Sequence, residues 1–213
     1  MSTSAPSKYS KTLSTLAAAL SLVSLSAMAQ ERESAPLGIY GGGAFGVGAA
    51  QWECGTSCNR ATFSGKFFGG KRLTPGLAAE VNYMFFGGLD RANDARTSAQ
   101  TGVSAVRQKM RALSVGINWE VELLNDFTNS LRVGWAFTRK DQNVTTCLNA
   151  NATTYACGSS TTERRIDYGS APYFGAGLSY QFARDMRLLS SFDYVIKGHE
   201  SYYLFGVGGS LEF

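Results

Sequence analysis

Four cysteines, one histidine and a set of charges at alternating positions are the residues of this 213-residue chain that could do chemistry. The cysteines run Cys54-x3-Cys58 and Cys147-x9-Cys157. A structural zinc site wants short Cys spacers, most simply CxxC, and companion Cys or His ligands; here the spacers are three and nine residues and His199 is distant, so no metal is expected. In an oxidising compartment the four thiols can pair, and three connectivities are open. The local pairs Cys54–Cys58 and Cys147–Cys157 are the expectation, since the two loops should join strand pairs on roughly opposite walls. His199-Glu200-Ser201 offers a base and a nucleophile, but a nucleophilic site also needs a group that orients the base. Only two of the three roles are filled. The glycines from Gly38 to Gly48 lack the Lys-Ser/Thr and the following helix of a phosphate-binding loop. No cofactor is expected.

Composition narrows the elements that could position such residues. Hydrophobic types make up 44% and charged types 17% of the chain, with a mean hydropathy of −0.10. That is too polar for a bundle of membrane helices and too apolar for a disordered chain. The 20 Lys and Arg against 16 Asp and Glu give no basic footprint for nucleic acid. At the start, Lys8 and Lys11 precede an uncharged run whose apolar stretch is Leu16 to Leu25, followed by Ala27-Met28-Ala29. Basic region, short apolar core and small-x-small site predict a signal peptide over 1–29 and a single domain over 30–213.

The domain reads as strands. Period-two alternation recurs over Leu37–Ala49, Phe63–Leu73, Leu77–Leu89, Arg111–Val121, Leu131–Phe137, Ile166–Phe182, Met186–Ile196 and Tyr203–Phe213. Short turns at Thr74-Pro75-Gly76, Asn125 to Asn129 and Ala183-Arg184-Asp185 alternate with polar connections at Glu53–Ala61, Asp90–Val106 and Asp141–Arg164. Trp119, Tyr180 and Phe182 fall at strand ends, as in an interfacial girdle. Dyad repeats of about ten residues joined by short turns on one side and long loops on the other predict an all-β, eight-stranded antiparallel up-and-down transmembrane β-barrel. An even strand count puts both chain ends on the periplasmic side.

The opening Gly38-Ile39-Tyr40-Gly41-Gly42-Gly43 and the run Lys66-Phe67-Phe68-Gly69-Gly70-Lys71-Arg72-Leu73-Thr74-Pro75 resemble the OmpA-like family of small outer-membrane β-barrels. Gly208-Gly209-Ser210-Leu211-Glu212-Phe213 looks like the terminal signal by which the barrel assembly machinery recognises such chains, with Leu211 and Phe213 as its apolar positions. The resemblance implies export to the bacterial outer membrane. Larger members carry a peptidoglycan-binding domain after the barrel; with the sequence ending at Phe213, that domain is not expected. His199-Glu200-Ser201 shares its His-x-Ser spacing with the lipid A deacylase family, but Tyr202 stands where that family has Asn. In a bacterial-type barrel, the glycosylation pattern at Asn143-Val144-Thr145 and Asn151-Ala152-Thr153 is accidental.

By parity, Lys66, Arg72, Arg132 and Arg187 point inward, as do Glu80, Glu120, Asp193 and Glu212. An eight-stranded bore is just filled by side chains, so balanced charge there predicts an ion-pair network. Arg107, Lys109, Arg111, Arg139 and Arg164 have lipid-facing parity near the long-loop rim and are candidate contacts for lipopolysaccharide. The function expected is a non-enzymatic outer-membrane barrel with a structural or loop-mediated surface role. A narrow small-solute porin and a lipid-modifying hydrolase are the alternatives. Expected partners are outer-membrane lipid, lipopolysaccharide and the assembly machinery; the sequence names no host or envelope protein ligand.

Overall fold

The computed structural model describes residues 38–51, 57–92, 103–124, 126–150, 157–198 and 200–213, all within the compact unit Pro36–Phe213. The expected signal peptide, Cys54 and His199 lie outside the described residues. The strands are β1 (Ile39–Gln51), β2 (Ser57–Cys58), β3 (Ala61–Thr74), β4 (Leu77–Ala92), β5 (Val103–Leu124), β6 (Phe127–Ala150), β7 (Cys157–Ala183), β8 (Met186–Lys197) and β9 (Glu200–Glu212). Eight of them form a ring in which β1 pairs with both β3 and β9, and β4 with β5, all antiparallel. The short β2 adds to the edge of β4 through Ser57↔Ala92 and Cys58↔Arg91. The architecture is an eight-stranded antiparallel up-and-down β-barrel.

Its polarity is inside-out. Phe45, Val47, Phe63, Ile117, Val133, Phe174, Phe205 and Val207 are exposed on the outer wall, while Lys66, Glu80, Arg132 and Asp193 are buried within. A wall that turns its apolar parity outward suits lipid and not water. Trp119, Tyr180 and Phe182 also face outward. Closure demands close backbone approach at the β1–β9 seam, where Ala44↔Gly208 and Gly46↔Gly206 face each other. A Cβ at Gly46 would run into the Phe205 carbonyl oxygen, and one at Gly208 into that of Gly43. Glycine is required at both positions.

Four features depart from the sequence expectation. Alternation does not run unbroken over Leu77–Leu89: the β4–β5 register shifts between Phe86 and Leu89. That bulge turns Leu89 into the interior despite its outward parity. Gly87 fits there because a Cβ would strike Thr62 Oγ1 and the Phe63 carbonyl. Within the expected loop Asp141–Arg164, residues 141–150 and 157–164 are not loop but strand, paired from Asp141↔Ile166 to Ala150↔Cys157 as the upper part of a hairpin. The connection Asp90–Val106 also shortens, because β4 runs to Ala92 and β5 starts at Val103. Finally, the turn expected over Asn125–Asn129 gives way to strand from Phe127 onward, with Asp126 in the left-handed region at φ 72°.

The hairpin makes the wall uneven. β5, β6 and β7 have 22, 24 and 27 residues, whereas β8 and β9 have 12 and 13. A tilted strand crosses the bilayer in about 9–11 residues. The surplus on β5–β7 rises as a three-stranded sheet beyond the apolar band.

Candidate functional site

The structure brings the eight inward charges into two linked layers. In mid-barrel, Lys66 Nζ lies 2.7 Å from Asp193 Oδ2, and Arg132 reaches Asp193 at 3.7 Å and Glu80 at 3.0 Å. The Arg132–Glu80 contact is an ion pair without hydrogen-bond alignment. Tyr40 donates to Glu80 at 2.7 Å, and Tyr173 donates to Asp193. Nearer the short turns, Arg72 pairs with Glu120 at 2.7 Å and Glu212 at 2.6 Å. Arg187 joins the same two carboxylates at 3.2 Å each. Asn118 ties the layers together by donating to Tyr40 at 3.2 Å and to Glu120 at 3.1 Å. Four cations thus face four carboxylates, and each buried charge has an opposite charge beside it. Lone burial would cost several kcal/mol per ion.

Above these layers, towards the hairpin, lies an apolar stratum that the sequence reading did not single out. Met84, Phe86, Met110, Val195, Tyr202 and Leu204 pack there with almost no exposure. Their parity is that of the inward charges on the same strands, so alternation placed them inside without marking them as a layer. A polar collar follows. Gln142 donates to Gln108 at 2.9 Å, Gln108 to Tyr202 at 2.8 Å, and Tyr202 to Glu200 at 2.8 Å. Lys140 closes the circuit on Glu200 at 3.0 Å. A cavity among the charged layers, lined by Tyr40, Arg72, Glu80, Glu120 and Arg132, measures about 30 Å³, room for a water or two. The bore is stacked as charge, apolar side chains and polar collar.

The five outward cations also gather. Arg111 pairs across with Arg139, Lys109 with Asp141, and Arg107 with Asn143, on adjacent strands β5 and β6. Arg164 sits opposite Asn143 on β7. Asp141, which the sequence reading left out, stands among them and accepts from Arg139 at 3.3 Å and Arg164 at 3.5 Å. Arg107 lies 3.4 Å from Asp90, and the Arg139 guanidinium covers the Tyr168 ring at 5.7 Å.

The remaining candidates separate. Ser201 and Tyr194 share a hydroxyl–hydroxyl hydrogen bond of 3.1 Å, while neighbouring Glu200 turns inward to Lys140 and Tyr202. The two side chains therefore serve opposite faces, as strand geometry dictates. Leu211 on β9 and Phe213 just beyond it are exposed, and the Phe213 N–H donates to the Ile39 carbonyl at 2.8 Å. Neither Cys58 nor Cys147 is a free thiol; Cys54 and the Cys157 side chain lie outside the described residues. The loops are less separated than expected, because β2 folds onto β4 and brings Cys58 into one groove with Thr145.

A closed barrel with an apolar exterior and a neutralised charged interior defines an outer-membrane β-barrel protein. The chain belongs to the outer membrane protein beta-barrel domain family, which matches residues 15–213, and its place is the bacterial outer membrane. A search of the curated proteins finds no match. Among solved structures it is similar to Ail, the attachment invasion locus protein of Yersinia pestis. That likeness has a TM-score of 0.52 at 9% identity, covering 83% of this chain and 98% of that one. OprG from Pseudomonas aeruginosa gives a TM-score of 0.52 at 10% identity, covering 83% and 95%. Neisserial surface protein A gives 0.50 at 14% identity, covering 85% and 100%. At these identities the likeness is one of fold.

Proposed function

We propose that this chain is a non-enzymatic, solute-tight outer-membrane barrel whose work is structural or done by its outward end, the β5–β7 rise and the loops beside it. The observation that carries this reading is the stacked interior. An ion crossing it would have to part paired charges and then pass Met84, Met110 and Leu204, which have no exposure worth the name. Residues 1–29 would direct export, and Leu211 and Phe213 would engage the assembly machinery. With both ends of the barrel on the periplasmic side, the hairpin stands outside the cell.

The purified mature protein in a planar bilayer is expected to give no discrete conductance steps. Incubated with lipopolysaccharide, it should release no fatty acid. Steps of uniform size would overturn the solute-tight reading in favour of a narrow porin. Fatty-acid release abolished by Ser201→Ala would make it a hydrolase.

The same reading gives the loops a covalent clamp. Cys147 stands near the end of the hairpin, opposite Ser160, and Ala150 pairs with Cys157. Peptide mapping without reductant is expected to link Cys147 to Cys157 and Cys54 to Cys58. Such bridges contribute about 2–4 kcal/mol, less for very short loops. A peptide joining Cys54 or Cys58 to Cys147 or Cys157 would overturn the local pairing.

A further inference from the structure

We propose that the outward face of β5–β7 is a binding site for one lipopolysaccharide molecule, its phosphates on the cation patch and its inner sugars in the groove directly above. The proposal rests on the reading that the hairpin stands outside the cell.

The first support is position. The register row Tyr83↔Leu113↔Phe137 belongs to the lipid-facing band, and Leu113 and Phe137 are exposed on it. The next outward row is Phe85↔Arg111↔Arg139↔Tyr168. Apolar wall gives way to arginine within one outward step of about 7 Å. This is the level at which phosphates of an outer-leaflet lipid meet the wall, and there an outward Arg costs little.

The second support is construction. Three rows on three strands confine the five cations to a patch of roughly 14 by 10 Å. Among the described residues, Asp141 is the one carboxylate lining the hollow between Arg107, Lys109, Arg111 and Arg164, which measures about 250 Å³. Its bonds to Arg139 and Arg164 hold two guanidinium groups in place, and Tyr168 supports the plane of Arg139. Positive charge remains in excess, and planar forks of this kind suit phosphate oxygens.

The third support is continuity. A groove of about 510 Å³ shares Arg107 and Asn143 with the patch and continues upward past Thr145 and Thr162. Those two hydroxyls lie 3.1 Å apart. A cationic base with hydroxyl and amide groups above it matches an anionic glycolipid. A simple phospholipid has nothing to place in the upper groove.

The test uses the mature protein, refolded in detergent and checked for the heat-sensitive mobility of a folded barrel. Adding lipopolysaccharide is expected to raise the wild-type melting temperature, whereas phosphatidylglycerol or inorganic phosphate at equal charge should shift it much less. Replacing Arg111, Arg139 and Arg164 together by Gln should remove the shift and weaken binding by about tenfold or more. If that variant does not fold, the pair Arg111→Gln and Arg164→Gln serves in its place. Arg165→Gln, on the other face of β7 and paired with Glu163, should leave binding unchanged. Thr145→Val with Thr162→Val should weaken binding of lipopolysaccharide more than binding of lipid A that lacks the core sugars.

Undiminished lipopolysaccharide binding in the arginine variant would overturn the patch. An equal response to phosphatidylglycerol would reduce it to a generic anionic surface, and an unchanged threonine variant would remove the sugar groove. Orientation is read separately, by labelling an Asn143→Cys protein in intact cells with an impermeant reagent. Failure to label would overturn the outward reading, whatever the patch binds.

Discussion

Asp193→Ala is expected to destabilise the barrel by about 3–5 kcal/mol, the range for breaking a buried ion pair, and by more than Glu80→Ala. Asp193 is the carboxylate against Lys66 and also takes contacts from Arg132 and the Tyr173 hydroxyl. Both it and Lys66 have no exposed side-chain surface, so the alanine leaves an ammonium with neither water nor a carboxylate in contact. Glu80 is different: its loss leaves Arg132 with Asp193, and Tyr40 still accepts from Asn118. The pair itself is another matter. Lys66→Met with Asp193→Leu removes both charges at similar volume, and such replacements are often neutral or stabilising. Urea titration of folded protein in vesicles would rank the three. An Asp193→Ala barrel as stable as wild type would mean that water reaches Lys66. The solute-tight reading would then lose its basis.

Most of the architecture was legible because a lipid-facing barrel writes its pattern twice, once in what faces out and once in what faces in. Glu80 and Asp193 could be placed inside by parity alone, with Val81 and Phe192 on the exposed wall beside them. Pairing was not legible. Lys66 and Asp193 are separated by 127 positions, and which inward charge meets which depends on the stagger of strands around the ring. The hairpin was misread as a loop for a physical reason. Between Asp141 and Arg164 most of the described side chains on both faces are polar, so the backbone ladder holds the strands with little alternation of polarity. Gly87-Gly88 marked the bulge in β4, yet alternation alone could not say that Leu89 would cross to the inside.

The patch was legible in its cations and not in its centre. Arg139 and Arg164 stood out because arginine at lipid-facing parity breaks the pattern. Asp141 has the same parity and drew no notice, since one acid in a polar stretch is unremarkable until Lys109↔Asp141 and Asp141↔Ile166 fix its place. The apolar stratum was hidden in a different way. An inward Met84 or Leu204 breaks no rule of parity, only the expectation that a barrel interior is polar. Both sit on strands whose outward residues are also apolar, where a run of hydrophobic residues carries no period.

Leu204→Ala is expected to cost more than the same kind of truncation on the outer wall, for instance Leu131→Ala. Leu204 is fully buried among Met84, Met110 and Tyr202. Its removal loses the transfer free energy and also leaves a hole that surrounding strands, held by ladders on both sides, cannot close. Together these terms come to about 2–5 kcal/mol. Leu131 faces lipid, where acyl chains flow into the vacated space, so only the transfer part is lost, about 1.5–3 kcal/mol for a whole side chain and less for a truncation. Folded fractions of both variants, measured across a urea series in one vesicle composition, give the comparison. Equal losses would mean that the interior hole is filled, and water is the only filler available. In that case Leu204→Ala should also admit current in a planar bilayer where wild type is silent. A larger loss for Leu204→Ala with no current is the result expected if the stratum is a packed core, built inside a membrane wall by the same rules that build one in a soluble protein.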